Sequence, residues 1–188
     1  MLAIHQALTV FFVAFIVTYL MVPASKKIAV LIGAIDYPSN RRLNTDPVPR
    51  CGGIALYVGL VAACLSVLIA ERFFGWEIVD LYVLQDINYI VLFIGITIMF
   101  AVGLVDDIVQ MAALPKLFGQ IVAAVVVAAA GITIGTVRSI VDGDYVDLGW
   151  LNYPLTVLYL VVFVNITNLI DGLDGLAILP TVLVGSAL

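Results

Sequence analysis

The chain has 188 residues, of which 64% are hydrophobic and only 11% are charged. This composition excludes a soluble globular domain and predicts an integral membrane protein, because soluble domains carry far more charge. The net charge of −5 indicates little about partners, since in a membrane protein the positions of the basic residues carry more information than their sum.

Apolar runs of roughly 20 residues, the length that crosses a hydrocarbon core of about 30 Å, predict an all-α polytopic membrane protein. We expect five complete transmembrane helices and a truncated sixth, which begins after Gly175 and is still apolar at Leu188. Residues 1–188 are interpreted as a single transmembrane domain, the N-terminal portion of a longer domain. The five complete runs are approximately Leu2–Ala24, Gly52–Ala70, Ile87–Val105, Leu117–Gly135 and Leu151–Ile170.

The first loop carries five of the eight lysines and arginines, so the positive-inside rule makes it cytoplasmic and puts the N-terminus outside. Alternation then places residues 136–150 outside. Their alternating β-branched residues around an Asp-Gly pair predict a short extracytoplasmic β-hairpin. The first loop, Asp106 with Asp107, and residues 165–174 all fall on the cytoplasmic side. The five basic residues are Lys26, Lys27, Arg41, Arg42 and Arg50.

The segment "GLVDDIVQMAALPKLFGQ" (103–120) places two adjacent aspartates at a helix end and Lys116 just after Pro115. Successive helical residues point about 100° apart, so Asp106 and Asp107 are expected to face different partners and to divide their roles. Adjacent carboxylates repel each other unless a cation relieves them, and Mg²⁺ prefers such oxygen ligands. The alternative is an interfacial helix end in water without a function.

The segment "FVNITNLIDGLDGLA" (163–177) repeats a polar residue every three positions, at Asn165, Asn168 and Asp171. This spacing keeps the side chains on about a third of the helix circumference. Gly172 and the next glycine let the chain open and expose backbone amides near the start of the following helix, where a phosphate binds favourably. Polar groups at membrane depth are costly, which favours a functional site over simple packing.

The first loop, "DYPSNRRLNTDPVPRCGG" (36–53), is rich in proline and arginine. Arg41, Arg42 or Arg50 could hold phosphates. The same residues could instead serve only as the positive cluster that fixes membrane orientation, and the sequence leaves both alternatives open.

These three motifs, in this order and between apolar spans, resemble those of the polyprenyl-phosphate N-acetylhexosamine-1-phosphate transferases over residues 25–180. The "LPKLFGQ" stretch is most similar to the undecaprenyl-phosphate N-acetylglucosamine-1-phosphate transferase branch. The resemblance implies transfer of N-acetylglucosamine 1-phosphate from a UDP-N-acetylhexosamine to undecaprenyl phosphate, with release of UMP. It also implies Mg²⁺ as cofactor, with Mn²⁺ as a substitute.

The family likeness also implies a role for each motif residue. The catalytic residues would be Asp106, Asp107 and Asp171, with Asp106 as the suggested base. Asp107 and Asp171 would ligate the metal. The substrate-binding residues would be Asn165, Asn168, Gly172, Asp174, Lys116 and Arg50.

The resemblance places the reaction at the cytoplasmic face of a bacterial inner membrane, as the first membrane step of a cell-envelope polysaccharide such as teichoic acid or lipopolysaccharide. Membrane lipid and a second copy of the chain are expected partners, and nucleic acid is not. The family has a second half with a further metal-ligating aspartate, so residues 1–188 alone are expected to be inactive. Asn44 stands where many relatives have histidine.

A secondary transporter with an ionisable cytoplasmic-side site is the rival interpretation, because polar residues and glycine-broken helices also mark transport sites. A carrier would place its ionisable groups near the bilayer midplane, whereas these groups gather at one interface. A non-enzymatic membrane scaffold is a second rival, but it would leave both aspartate motifs unexplained.

Overall fold

A computed structural model describes residues 2–37, 47–76, 87–138 and 144–170. These residues are predominantly helical, with two small antiparallel strand pairs. The helices are α1 (Leu2–Leu31), α2 (Gly52–Phe74), α3 (Tyr89–Val109), α4 (Ala113–Ala129) and α5 (Asn152–Ile170). The strands are β1 (Ile35–Asp36), β2 (Val48–Pro49), β3 (Thr136–Arg138) and β4 (Tyr145–Asp147).

The chain divides into two compact units, each with its own packing. The first unit comprises residues 1–86 and 100–112, and the second comprises residues 87–99 and 113–188. Helix α3 therefore contributes its C-terminal part to the first unit and its N-terminal part to the second. The interpretation of the chain as one transmembrane domain stays a prediction.

Four helices of the described residues are long and apolar enough to cross a membrane: Ile4–Leu31, Gly52–Phe74, Tyr89–Val109 and Gly149–Leu169. The fifth expected span is also a helix, but α4 has only 17 residues, about 26 Å at 1.5 Å per residue. The predicted helices are thus confirmed, whereas five full-length spans are not. The sixth run lies outside the described residues.

Helix α4 starts four residues before the expected Leu117 and ends six before the expected Gly135. Pro115 is compatible with the early start because it lies in the first turn, where its missing N–H would have no helical partner. The early end follows from Gly131, whose φ of 100° takes the backbone out of the helical region.

Helix α1 runs seven residues past the expected end at Ala24 and contains Pro23. The expected end at Ala24 came from the apolar run of roughly 20 residues. Pro23, which lacks the N–H that would bond to the carbonyl one turn back, does not end the helix either. The helix continues because its last turns are packed. Ser25 and Ala29 are buried there, and Ala29 forms a small core with Ala34 and Cys51.

Close packing of α2 on α1 organises the first unit. The residues of α2 that are buried are all small: Ala55, Gly59, Ala63 and Ala70. A Cβ added at Gly59 would overlap Thr18 Oγ1 and would lie 3.0 Å from the Ala14 carbonyl oxygen. The first three of these residues recur every four positions, and small residues at this spacing let two membrane helices approach closely.

The second unit packs α4 against α5 and against the first half of α3. A Cβ added at Gly95 of α3 would lie 2.6 Å from Val127 Cγ2 of α4. Strands β3 and β4 pair Val137 with Val146, which confirms the antiparallel strand pair expected from the sequence. Its extracytoplasmic location stays a prediction. Its connecting residues 139–143 lie outside the described residues.

Candidate functional site

Asp106 closes the turn that follows α3. Gln110 takes a left-handed backbone conformation with φ of 50°, and its N–H donates to the Asp106 carbonyl oxygen at 2.9 Å. The N–H of Met111 donates to Asp106 Oδ1 at 3.1 Å. One carboxylate oxygen of Asp106 is therefore engaged in shaping the turn between α3 and α4.

Asp107 lies in a different neighbourhood, beside the start of α2. Burial raises the pKa of the Cys51 thiol, and the nearby Asp107 carboxylate raises that pKa further. Cys51 is only 1% exposed, and its carbonyl oxygen accepts a hydrogen bond from Ser25 Oγ. Asp106 and Asp107 are both half-buried, and the expected division of their roles stays a prediction.

Arg50 is held at the mouth of α2 by a strand pair that the sequence analysis missed. Its Nη2 donates to Asp36 Oδ1 at 2.9 Å, and both side chains are about four-fifths buried. The backbone N–H of Arg50 donates to the Ala34 carbonyl oxygen at 3.0 Å. An arginine has five N–H donors, so a guanidinium fixed by one carboxylate can still bind a phosphate.

Replacing Arg50 with glutamine should lower the free energy of unfolding by about 1–2 kcal/mol, because the partly buried Asp36 carboxylate loses its ion pair. Thermal unfolding of the detergent-solubilised protein measures this effect. Arg72→Gln is the matched control, since Arg72 is exposed in the last turn of α2. The double variant Asp36→Asn with Arg50→Gln should recover part of the loss. An Arg50→Gln protein as stable as wild type would contradict this role.

In the second unit, two hydrogen-bonded pairs join the start of α4 to the end of α5. Lys116 Nζ donates to Asn168 Oδ1 at 3.2 Å. One turn along each helix, Asn165 Nδ2 donates to Gln120 Oε1 at 2.7 Å. Three of the predicted substrate-binding residues, namely the lysine and both asparagines, thus lie on one α4–α5 contact.

Gln120 is the partner that sequence reasoning missed. It is only 2% exposed, on a helix that is otherwise largely apolar. The signal was present in the quoted motif, because Gln120 follows Lys116 by four residues and so lies on the same face of α4. The sequence predicts its partner Asn165 as a substrate-binding residue, but the pairing of the two side chains depends on how α4 packs against α5.

Asp171, Gly172 and Asp174 lie outside the described residues, as do Arg41 and Arg42. Asp171 directly follows the end of α5 in the sequence. Within the ranges that the structure describes, no group of three or more histidine, cysteine, aspartate or glutamate residues is arranged to hold a metal ion. The described carboxylates at the end of α3 could supply one or two ligands.

Several apolar helices of membrane-spanning length define a multi-pass membrane protein. In its second unit, a lysine, a glutamine and two asparagines form hydrogen bonds between α4 and α5. Residues 89–188 match the family described as glycosyl transferase family 4, and the chain belongs to this family.

Curated relatives extend the likeness over most of the chain. The "Probable undecaprenyl-phosphate N-acetylglucosaminyl 1-phosphate transferase" of Bacillus subtilis is 36% identical over 88% of this chain and 43% of its own length. The "Decaprenyl-phosphate N-acetylglucosaminephosphotransferase" of Mycolicibacterium smegmatis is 36% identical over 87% of this chain and 39% of its own length. The chain thus spans about two fifths of the length of these relatives. No solved structure matches it significantly.

Proposed function

We propose that the protein transfers N-acetylglucosamine 1-phosphate from UDP-N-acetylglucosamine to undecaprenyl phosphate and releases UMP. The observation that carries this proposal is the 36% identity over 88% of the chain to a relative whose name states this acceptor and this sugar. We further propose that the site faces the cytoplasm at a bacterial inner membrane, with the N-terminus outside. The product would enter cell-envelope polysaccharide synthesis.

The reaction exchanges one phosphate anhydride for another. An oxygen of the lipid phosphate attacks the phosphorus that bears the sugar, and the bond from this phosphorus to the bridging oxygen breaks. The electron pair leaves with UMP. The free energies of the two anhydrides are similar, so the step should be reversible.

Asp106 is better suited to positioning than to removing a proton. A phosphate monoester has a second pKa of about 6, so the attacking oxygen already lacks a proton near neutral pH. The Asp106 carboxylate accepts the Met111 N–H and thereby holds the turn that joins the carboxylates to α4. We therefore propose that Asp106 positions this turn and does not act as the base.

The donor chemistry at the end of α3 fits Mg²⁺, or Mn²⁺ as a substitute. Mg²⁺ typically binds one or two carboxylates together with substrate phosphates, and Asp107 is a half-buried carboxylate at a helix end. Asp107 and Asp171 would hold the ion. When bound, the ion would offset the negative charge of the diphosphate.

The remaining polar residues would bind the substrates. Arg50, oriented by Asp36, would contact a phosphate through its remaining donors. Lys116 and the two asparagines would contact the sugar nucleotide from the α4–α5 pair. Gly172 and Asp174 would complete that pocket.

Purified full-length protein in detergent tests the proposal. It should move label from radioactive UDP-N-acetylglucosamine into the lipid fraction, provided that undecaprenyl phosphate and Mg²⁺ are both present. EDTA or omission of the lipid acceptor should abolish the transfer. Folded protein that transfers label from no UDP-N-acetylhexosamine, yet moves the intact sugar nucleotide across a proteoliposome membrane, would favour the transporter instead.

A further inference from the structure

The amide of Asn165 is held in one orientation by two acceptors. Its Nδ2 donates to Gln120 Oε1 at 2.7 Å and to the Val161 carbonyl oxygen at 2.8 Å. A primary amide nitrogen has two hydrogens, so these bonds use both. No hydrogen bond from the described residues reaches Asn165 Oδ1, and the residue is exposed.

Turning this amide over would be unfavourable. It would place Oδ1 against the Val161 carbonyl oxygen, and a carbonyl can only accept. Gln120 constrains the Asn165 amide from the neighbouring helix α4, where it is only 2% exposed. The carbonyl oxygen of Asn165 is therefore the group left to bind a ligand.

Asn168, one turn further along α5, has its amide oriented the other way, with the oxygen engaged and the nitrogen available. Its Oδ1 accepts a hydrogen bond from Lys116 Nζ at 3.2 Å, which leaves its NH₂ group as the donor. Helix α5 thus presents an acceptor at Asn165 and a donor at Asn168. A ligand amide, in which an N–H lies next to a C=O, has the complementary pattern.

We propose that Gln120 is a positioning residue that holds Asn165 so that its Oδ1 accepts a hydrogen bond from an N–H of the sugar nucleotide. The inference rests on the proposed function and deepens it. A UDP-N-acetylhexosamine carries two such groups, the acetamido N–H of the sugar and the imide N–H of uracil. In both groups the N–H lies next to a C=O, so each could donate to Asn165 and accept from Asn168.

A double-mutant cycle on the full-length protein tests this role. Gln120→Leu and Asn165→Ala should each raise KM for UDP-N-acetylglucosamine about tenfold, the value of one well-formed hydrogen bond, with kcat changed less than about twofold. The double variant should be no worse than Asn165→Ala alone, because Gln120 acts only through Asn165. Gln120→Glu keeps an acceptor for Nδ2 and should stay within about threefold of wild type.

Thr156→Val is the matched control. Thr156 is 2% exposed on α5 and accepts a hydrogen bond from the Ile134 N–H at 2.8 Å. Replacing Thr156 with valine removes this hydrogen bond and should lower the unfolding temperature without raising KM. Inhibition by UDP, which has uracil but lacks the N-acetylhexosamine, identifies the ligand group. If uracil is the partner, Asn165→Ala should raise the inhibition constant of UDP about tenfold. If the acetamido group is the partner, the inhibition constant should not change.

The outcomes separate this inference from the proposed function. Transfer by wild type combined with additive effects of Gln120→Leu and Asn165→Ala would overturn the positioning role alone. A fall in kcat and stability at unchanged KM would overturn it as well, because Gln120 would then be merely structural. Absence of transfer and of UDP-sugar binding in folded wild type would overturn both.

Discussion

Replacing Asp107 with asparagine should reduce sugar-phosphate transfer by the full-length protein to a small fraction of the wild-type rate while leaving the protein folded. The substitution preserves the shape of the side chain but removes the charge proposed to hold Mg²⁺ at the end of α3. Loss of a single electrostatic contribution of this kind costs about 10²- to 10³-fold in kcat. The initial rate of label transfer into lipid, at saturating substrates, measures the effect.

Two matched variants make this result specific. Glu71→Gln removes an exposed carboxylate near the end of α2 and should leave the rate unchanged. Asp106→Asn keeps an oxygen that can accept the Met111 N–H, so a positioning role predicts a smaller loss than at Asp107. Asp107→Asn protein that retains wild-type activity would remove this residue from the site.

Replacing Gly59 with alanine should destabilise the protein by about 1–3 kcal/mol, the usual cost of overpacking a close contact. The new Cβ would overlap Thr18 Oγ1, so α1 and α2 would have to separate. Gly103→Ala is the matched control, because a Cβ there would meet nothing within 4 Å. It should be neutral or slightly stabilising, since alanine favours a helix by about 1 kcal/mol over glycine.

Thermal unfolding in the same detergent compares the two glycine variants. A lower unfolding temperature for Gly59→Ala, with Gly103→Ala at or above wild type, is the expected order. Equal stability of the two variants would mean that the α1–α2 contact at Gly59 is looser than its geometry indicates.

The apolar runs were sufficient to predict the helices, because hydrocarbon thickness sets the length of a membrane span. They did not predict where packing moves a helix end. Helix α1 continues past Pro23 because Ala29 packs with Cys51, a contact between residues far apart in the sequence. Likewise, β1 and β2 are only two residues each, too short to produce an alternating pattern.

The same distinction applies to the candidate site. The aspartates, asparagines and Lys116 could be selected from the sequence because polar residues within apolar runs are rare. Their partners could not be selected in this way. Asp36 reaches Arg50 through a strand pair, and Gln120 reaches Asn165 across two helices. Each pairing depends on tertiary packing that a local pattern does not contain.

The most direct test of the central claim follows two labels in one reaction. UDP-N-acetylglucosamine carrying a radioactive β-phosphate and a tritiated sugar is incubated with the full-length protein, Mg²⁺ and undecaprenyl phosphate. Transfer of sugar 1-phosphate predicts that both labels enter the lipid in equal amounts and that UMP is the nucleotide product. Tritium in the lipid with the β-phosphate left on UDP would contradict it, because the sugar alone would then have been transferred.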